Sequence, residues 1–481
     1  MAKEARASLP AMTQTAWQGD ACGLVEAFRA GVITPPEALD LSLAAIEGSA
    51  LNAVCFIDDQ GARDAAEFAD LSLPFGGVPV GIKELDPVRG WPQTDASVVL
   101  EDEISPFDGT MITRLRQAGI VPVGQTTASE FGGINCTVTK LHGATSNPYD
   151  LTRTPGGSSG GSAAAVSGGL LPICTGGDGG GSIRIPAGFT GLFGLKSTFG
   201  RIPKGPRCEI EPLNAVLGCL ARSVRDAARW FDVCNGADEY DPFSLPRVQG
   251  WEDALGTFEL AGKKVVVAPD LGAAVIASSV RERIEAAAAD LIADLGLARV
   301  EVPVALPRGG IEWAMAGTAS LLAGLGDLYP DCEPDLTPEI LLACNIATHH
   351  YDIEAAKGIE LFRRRCVVAM ADIFEQVDFV ICATNPDLPF NASGPLPTVV
   401  DGVDLVSELG FEAALGNNGA LTIPANITGN PAVAIPVGTL QDLPVSMQII
   451  GRHHAEQLLL DLALAVERNR PWPLVAPGAP L

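Results

Sequence analysis

Helix-type and strand-type hydrophobic spacing alternate along most of this chain. Thr34, Pro35 and Glu37 combine an N-cap threonine, a proline at the first helical position and the glutamate of a capping box. Leu39, Leu43 and Ile46 then fall on one face, which predicts a helix. Met111, Leu115 and Ala118 repeat that spacing up to Gly119, a C-terminal stop signal, and Ile120 to Val123 reads as a short strand. Further on, Lys264 to Ala268 is a β-branched run, Ile284, Ala288, Leu291 and Leu295 form a helical stripe, and Val300, Val302 and Val304 alternate as a strand does. Asp378 to Ala383 and Ala432 to Val437 add two strand candidates. Interleaving of this kind predicts an α/β fold, a parallel or mixed sheet covered by helices, and no internal repeat interrupts it.

One stretch departs from both periods. Between Pro155 and Lys196 glycine recurs at 156, 157, 160, 161, 168, 169, 176, 177, 179, 180, 181, 188, 191 and 194, a density that weakens helix and strand alike and implies that the backbone itself is in use. Ser162 to Ser167, between two glycine clusters, is a run of small residues suited to a helix packed tightly against other backbone.

Composition narrows the partners. With 47% hydrophobic and 19% charged residues the 481-residue chain is globular, and its length admits either two or three domains or one continuous sheet. A net charge of -26, from 58 acidic against 32 basic residues, repels phosphate backbones and anionic membranes, so neither nucleic acid nor a membrane is an expected partner. Eleven cysteines include no CxxC pair, and no histidine is spaced to complete a zinc site, which predicts reduced, mostly buried thiols and no metal. The segment Met1 to Arg6 is basic without a following apolar stretch, and the run from Ser162 to Thr175 is broken by Gly168, Gly169 and Pro172 and is too short to span a bilayer. A cytoplasmic location is expected, and the sequons at Asn135, Asn391 and Asn426 carry little weight.

Four chemistries use glycine-rich loops of this kind. A phosphate-binding loop fails, because Leu195 separates Gly194 from Lys196 and the earlier glycine is absent. A dinucleotide fingerprint fails because Gly177 and Gly179 do not complete its spacing. Gly157-Ser158-Ser159-Gly160-Gly161 matches a nucleophile elbow centred on Ser159, but polar, proline-containing sequence precedes it where a buried strand is needed. The histidines downstream, His349, His350, His453 and His454, come as two pairs with the character of helix ends or surfaces. The fourth chemistry is a serine activated by a lysine, which must be neutral and therefore desolvated. Lys83 follows the apolar and small residues Gly76 to Ile82, and burial there would lower its pKa, although a surface lysine is the ordinary reading of such a residue alone. Gly179-Gly180-Gly181-Ser182 can turn successive N–H groups toward one point, as an oxyanion requires, or can be an ordinary turn.

Taken together, Pro155-Gly156-Gly157-Ser158-Ser159-Gly160-Gly161-Ser162 and Gly176-Gly177-Asp178-Gly179-Gly180-Gly181-Ser182-Ile183-Arg184-Ile185-Pro186-Ala187 closely resemble the core of the amidase signature family. Blocks at Gly77 to Lys83, Gly124 to Phe131, Ser146 to Asp150, Gly194 to Arg201, Leu220 to Ala228 and Pro424 to Ala432 extend the likeness over nearly the whole chain. The resemblance implies a single α/β domain over residues 1–481 with a central mixed sheet flanked by helices. Its signature core spans about 70–230, and a more divergent substrate-pocket segment about 235–420. It implies Ser182 as acylated nucleophile, Ser158 on a cis peptide as relay and Lys83 as base. The N–H groups of Gly179, Gly180, Gly181 and Ser182 would form the oxyanion hole, with Ser159, Asp178 and Arg184 as supporting residues; the alternative for Arg184 is a clamp on a substrate carboxylate. Phe131, Gly132, Gly133 and Ile134 would lie along the acyl chain, and no cofactor is implied. Trp313, Met315, Tyr329, His349, His350 and Tyr351 are either pocket or plain core.

This sequence departs from the family pattern at Gly177 and Gly179, where threonines are common, and at Glu84, where aspartate usually follows the lysine. The missing side chain at Gly179 suggests room for a bulky or aromatic acyl group. The expected activity is hydrolysis of a carboxamide, anilide or carbamate (urethane), a small-molecule substrate with a bulky or aromatic acyl group. The alternative within the family is the glutamine-hydrolysing subunit of a tRNA-dependent amidotransferase, against which stands Gln125-Thr126-Thr127-Ala128 in place of a lysine-containing block. A homodimer is common among such relatives, and the sequence leaves the oligomeric state open.

Overall fold

A computed structural model describes residues 16–207 and 212–481. The sequence reading of Met1 to Arg6, and Cys208, lie outside the described residues. One sheet of eleven strands runs through the molecule. In chain order the strands are β1 (Val54–Ile57), β2 (Pro79–Lys83), β3 (Val121–Thr126), β4 (Ile173–Asp178), β5 (Phe193–Lys196), β6 (Val216–Ala221), β7 (Lys264–Val267), β8 (Ala298–Arg299), β9 (Phe379–Ala383), β10 (Ala432–Leu440) and β11 (Leu443–Gly451). Their spatial order is β1-β3-β2-β4-β6-β5-β10-β11-β9-β7-β8. The sheet is mixed: β3, β2 and β4 run parallel, as do β9, β7 and β8, and the strands between are antiparallel.

The helical expectations hold in detail. Helix α1 (Pro35–Glu47) starts on the reciprocal capping box of Thr34 and Glu37, and α2 (Thr110–Gln117) ends just before Gly119, whose φ of +89° only glycine adopts without strain. The run of small residues forms α3 (Gly160–Ser167), buried along its whole length. Helix α4 (Arg184–Thr190) follows β4, and α5 (Ser278–Leu295) buries Ile284, Ala288 and Leu291 as the stripe predicts. Helices α6 (Ile311–Leu325), α7 (Pro338–His350) and α8 (Ile353–Phe374) come from the divergent segment.

The valine alternation after β8 does not continue the sheet. Pairing ends at Arg299, and only the Val300 N–H still reaches β7, donating to Val265 O at 2.9 Å. Val302 and Val304 keep the alternating half-buried pattern by packing on the core without a partner strand. Conversely β11, every residue of it buried, was not anticipated: Ser446 and Gln448 interrupt its apolar run, and both hydroxyl and amide are satisfied inside the core.

Two features set up a site. Lys83 and Asp178 are the last residues of the neighbouring parallel strands β2 and β4, so both project at the carboxyl edge of the sheet, where open α/β sheets bind ligands. Helix α3 then presses its amino end against the end of β3, because Gly161 has no side chain: a Cβ there would lie 2.3–2.5 Å from Oγ1, O and N of Thr127. Among the described residues no helix is long and apolar enough to cross a membrane, and the ten described cysteines are free thiols, nine of them buried.

Since backbone cannot yield as a flexible side chain does, Gly161→Ala is expected to lower stability by about 1–3 kcal/mol. Urea unfolding measures this, and an unchanged midpoint would show that the contact is slack.

Candidate functional site

Lys83 reaches the site from a fixed backbone. Its N–H donates to Thr175 Oγ1 at 2.7 Å, and that hydroxyl donates in turn to Asp86 at 2.5 Å. Its side chain is 3% exposed. The Nζ donates to Ser158 Oγ at 2.8 Å. Burial lowers the lysine pKa to about 8, against the opposing pull of Asp86, Asp178 and Glu84. A neutral fraction of roughly a tenth is therefore present at pH 7, against almost none for an ordinary lysine, and it rises with pH, as a proton acceptor requires. Ser158 follows a cis peptide bond from Gly157, and its carbonyl accepts from Ser129 N–H at 3.2 Å.

The glycine loop after β4 is organised by one carboxylate. Asp178 Oδ1 accepts from the Gly181 N–H (2.8 Å) and from Arg184 Nη2 (2.8 Å), while Oδ2 accepts from the Ile183 and Arg184 N–H groups and from Arg184 Nε (3.0 Å). Both side chains of this ion pair are fully buried. Burial alone would raise the aspartate pKa, but the charge and hydrogen bonds of Arg184, with Lys196 and Asn426, outweigh it and hold the carboxyl well below its ordinary range. Arg184 spends its remaining donors on Thr422 O, Gln448 Oε1 and Asn426 Oδ1. Nothing is left of it to clamp a substrate carboxylate; it is structural.

Those bonds also decide which N–H groups are available. Gly181 N–H is committed to Asp178, so the expected oxyanion set loses that member. The N–H groups of Gly179, Gly180 and Ser182 carry no protein hydrogen bond among the described residues. The Gly179 carbonyl accepts from Trp313 Nε1 at 2.8 Å, which fixes the peptide that carries the Gly180 N–H, and the Gly180 carbonyl accepts from Thr422 Oγ1 at 2.6 Å. Ser182 is partly exposed between buried neighbours, and its carbonyl accepts from the Ser159 N–H at 3.3 Å, which ties it to the chain carrying Ser158. Ser159 is buried, with its Oγ donating to Gly177 O, and no strand precedes it. That arrangement suits a supporting residue and not an elbow nucleophile.

The expected acyl-side residues also converge here. A Cβ on Gly132 would lie 3.4 Å from Ser158 Oγ, Gly133 abuts Ile340 of α7, and Ile134 O accepts from Ser129 Oγ at 2.8 Å. Phe131, held at φ +51°, packs on the cluster of Leu336, Ile340 and Cys344. From the divergent segment Trp313 alone of the sequence candidates touches the glycine loop: a Cβ on Gly180 would lie 2.6 Å from its ring. Phe362, Cys366, Ile423 and Ile427, on which Trp313 packs, also line a cavity of about 210 Å³. His349, His350 and Tyr351 are exposed at the end of α7, and Tyr329 packs beside Ile340. Asn426, which holds Asp178 and Arg184 together, lies in the family-like block that begins at Pro424, and Thr422 lies just before that block; neither carries a signal of its own in the sequence, and only their contacts give them a role.

The amidase family model matches residues 37–460. The A subunit of glutamyl-tRNA(Gln) amidotransferase from Lacticaseibacillus paracasei is 30% identical, the match covering 95% of this chain and 98% of that protein. The protein of the same name from Roseiflexus sp. is 31% identical over 95% and 97%. Among solved structures, a bacterial aryl acylamidase belonging to the amidase signature enzymes superimposes with a TM-score of 0.87 at 26% identity, covering 94% of this chain and 96% of that one. The 6-aminohexanoate cyclic dimer hydrolase gives 0.85 at 28% identity over 96% and 99%. The glutamyl-tRNA(Gln) amidotransferase A subunit from Thermotoga maritima gives 0.69 at 27% over 91% and 93%. By the span of the family match and by the mixed sheet that carries these loops, the chain belongs to the amidase signature family, enzymes that hydrolyse carbon–nitrogen bonds.

Proposed function

We propose that the chain is a free-standing amidohydrolase acting on a carboxamide, anilide or carbamate with a bulky or aromatic acyl group, through an acyl-enzyme on Ser182. The observation that carries the reading is the buried Lys83 amine, 2.8 Å from Ser158 Oγ and with a pKa lowered to about 8. Ser182 Oγ attacks the substrate carbonyl while its proton passes to Ser158, and Ser158 gives its own to Lys83. The N–H groups of Gly179, Gly180 and Ser182 receive the oxyanion, with their orientation set in advance by Asp178, Trp313 and Thr422. The proton returns from Lys83 to the leaving nitrogen, the C–N bond breaks, and water releases the acid by the same route in reverse.

The acyl preference rests on Trp313, whose ring lies against Gly180, on Phe131, the chain neighbour of the Gly132 that approaches Ser158, and on the backbone likeness to the aryl acylamidase. A Cβ on Gly179 would make only ordinary contact with Ala215, at 3.6 Å, so its absence leaves open the space of a small side chain. A second reading, the glutamine-hydrolysing subunit of an amidotransferase, is favoured by the 30–31% identity to amidotransferase subunits over nearly full length. The higher TM-scores of the aryl acylamidase and the cyclic dimer hydrolase weigh for the first reading.

A fluorophosphonate probe is expected to label the peptide carrying Ser182 and to lose that label in Ser182→Ala; label on Ser159 would overturn the assignment. Because Lys83 works as the neutral amine, kcat/KM should rise with pH through a limb at about 8. Lys83→Ala should lower it about 10²–10⁴-fold and abolish that limb, whereas a variant keeping the wild-type profile removes Lys83 from the mechanism. In a panel of aliphatic amides, anilides, amino-acid amides and aryl carbamates, turnover is expected to favour aryl substrates. Trp313→Ala should reduce that preference by about tenfold. Glutaminase activity that appears only with partner subunits would instead establish the second reading.

A further inference from the structure

Beside Lys83 a second set of reactive side chains meets that the hydrolysis does not use. Cys55 stands on β1, Glu84 follows β2 directly, and His142 lies in the turn between the short strands Val138–Thr139 and Gly143–Ala144. His142 Nε2 is 2.8 Å from Glu84 Oε2, and Cys55 Sγ is 3.7 Å from the same oxygen. One ligand atom from each lies within 4.8 Å of the other two, and among the described residues no other three histidine, cysteine or acidic side chains meet so closely.

The cluster is anchored. Glu84 Oε1 accepts from the Ala128 N–H at 2.6 Å, which turns Oε2 toward the thiol and the imidazole. Thr94 Oγ1 donates to Oε2 from behind at 3.3 Å, and the Gln125 carbonyl lies 3.5 Å from the sulfur. Glu84 is 1% exposed and His142 20%, so the site is closed on the carboxylate side and open to solvent on the histidine side. One thiolate, one imidazole and one carboxylate form a borderline donor set that suits zinc, with a free fourth position for water. Metal–ligand bonds of about 2.0–2.3 Å put tetrahedral ligands about 3.3–3.8 Å apart. The sulfur and the carboxylate oxygen already stand at that separation, while the histidine nitrogen, 2.8 Å from that oxygen and within 4.8 Å of the sulfur, must shift away from the carboxylate to reach it.

We propose that Cys55, Glu84 and His142 form a binding site for one divalent cation of the zinc type, completed by water. On binding, the Cys55 thiol releases its proton to solvent, and the imidazole presents an unprotonated Nε2 with its proton on Nδ1. The bound ion ties β1, the end of β2 and the 138–144 turn together. Sequence spacing hides the site, because its three ligands come from separate segments.

The test uses chelator-treated full-length protein titrated with Co²⁺ and then Zn²⁺. One equivalent of Co²⁺ should give a thiolate-to-cobalt charge-transfer band that Zn²⁺ displaces, and Zn²⁺ should raise Tm. Cys55→Ser should lose the band and the Tm shift, His142→Ala should bind at least about tenfold more weakly, and Cys332→Ser, a thiol outside the cluster, should retain both signals. No band in the wild type, or a band that survives Cys55→Ser, overturns the proposal. Should Cys55→Ser not fold, unchanged cobalt affinity in His142→Ala overturns it equally.

Discussion

The site depends on one buried ion pair. Asp178 and Arg184 have no contact with solvent, and an unpaired charge at that depth would cost several kcal/mol. Each is satisfied only if the chain between them takes one shape. The carboxylate collects the N–H groups of Gly181, Ile183 and Arg184, and the guanidinium collects Thr422, Gln448 and Asn426 from distant parts of the chain. Gly181 at φ +132° permits the turn, since a Cβ there would stand 2.4 Å from Thr422 Oγ1. The loop that holds Ser182 is thus set by electrostatics that have no part in bond breaking.

A complementary logic governs Lys83. The same depth that forces Asp178 to be paired leaves Lys83 without a direct carboxylate contact, so desolvation dominates and the amine is easily deprotonated. Asp86, the acid that pulls on it most, is itself raised by burial and is engaged by the Thr175 hydroxyl. One pocket therefore holds a firmly ionised pair and a readily neutralised lysine, and the difference lies in which of them has an opposite charge within hydrogen-bonding reach.

Much of this was legible because its parts are local. The capping box at Thr34, the small-residue run of α3 and the serines of the glycine loops each declare themselves within a few residues. What escaped depends on long-range contact. Asn426 lies 242 residues from Arg184 and Gln448 lies 264 away, and although Asn426 falls in a family-like block, nothing local tells which contact either residue makes. Trp313 at helical spacing reads as core, and half of it is; its indole N–H is what positions Gly180. The loss of Gly181 from the oxyanion set follows from competition for a single donor, and Val302 and Val304 alternate without a strand to pair with.

The claim on which the account turns is that Lys83 can be neutral while it is bonded to Ser158. Direct titration of the Lys83 side-chain resonance, assigned by comparison of lysine-labelled wild type with Lys83→Arg, measures it. The account predicts a midpoint at about 8. A midpoint at the ordinary lysine value of about 10.4 would leave almost no neutral amine near neutral pH, and would contradict the proposed relay.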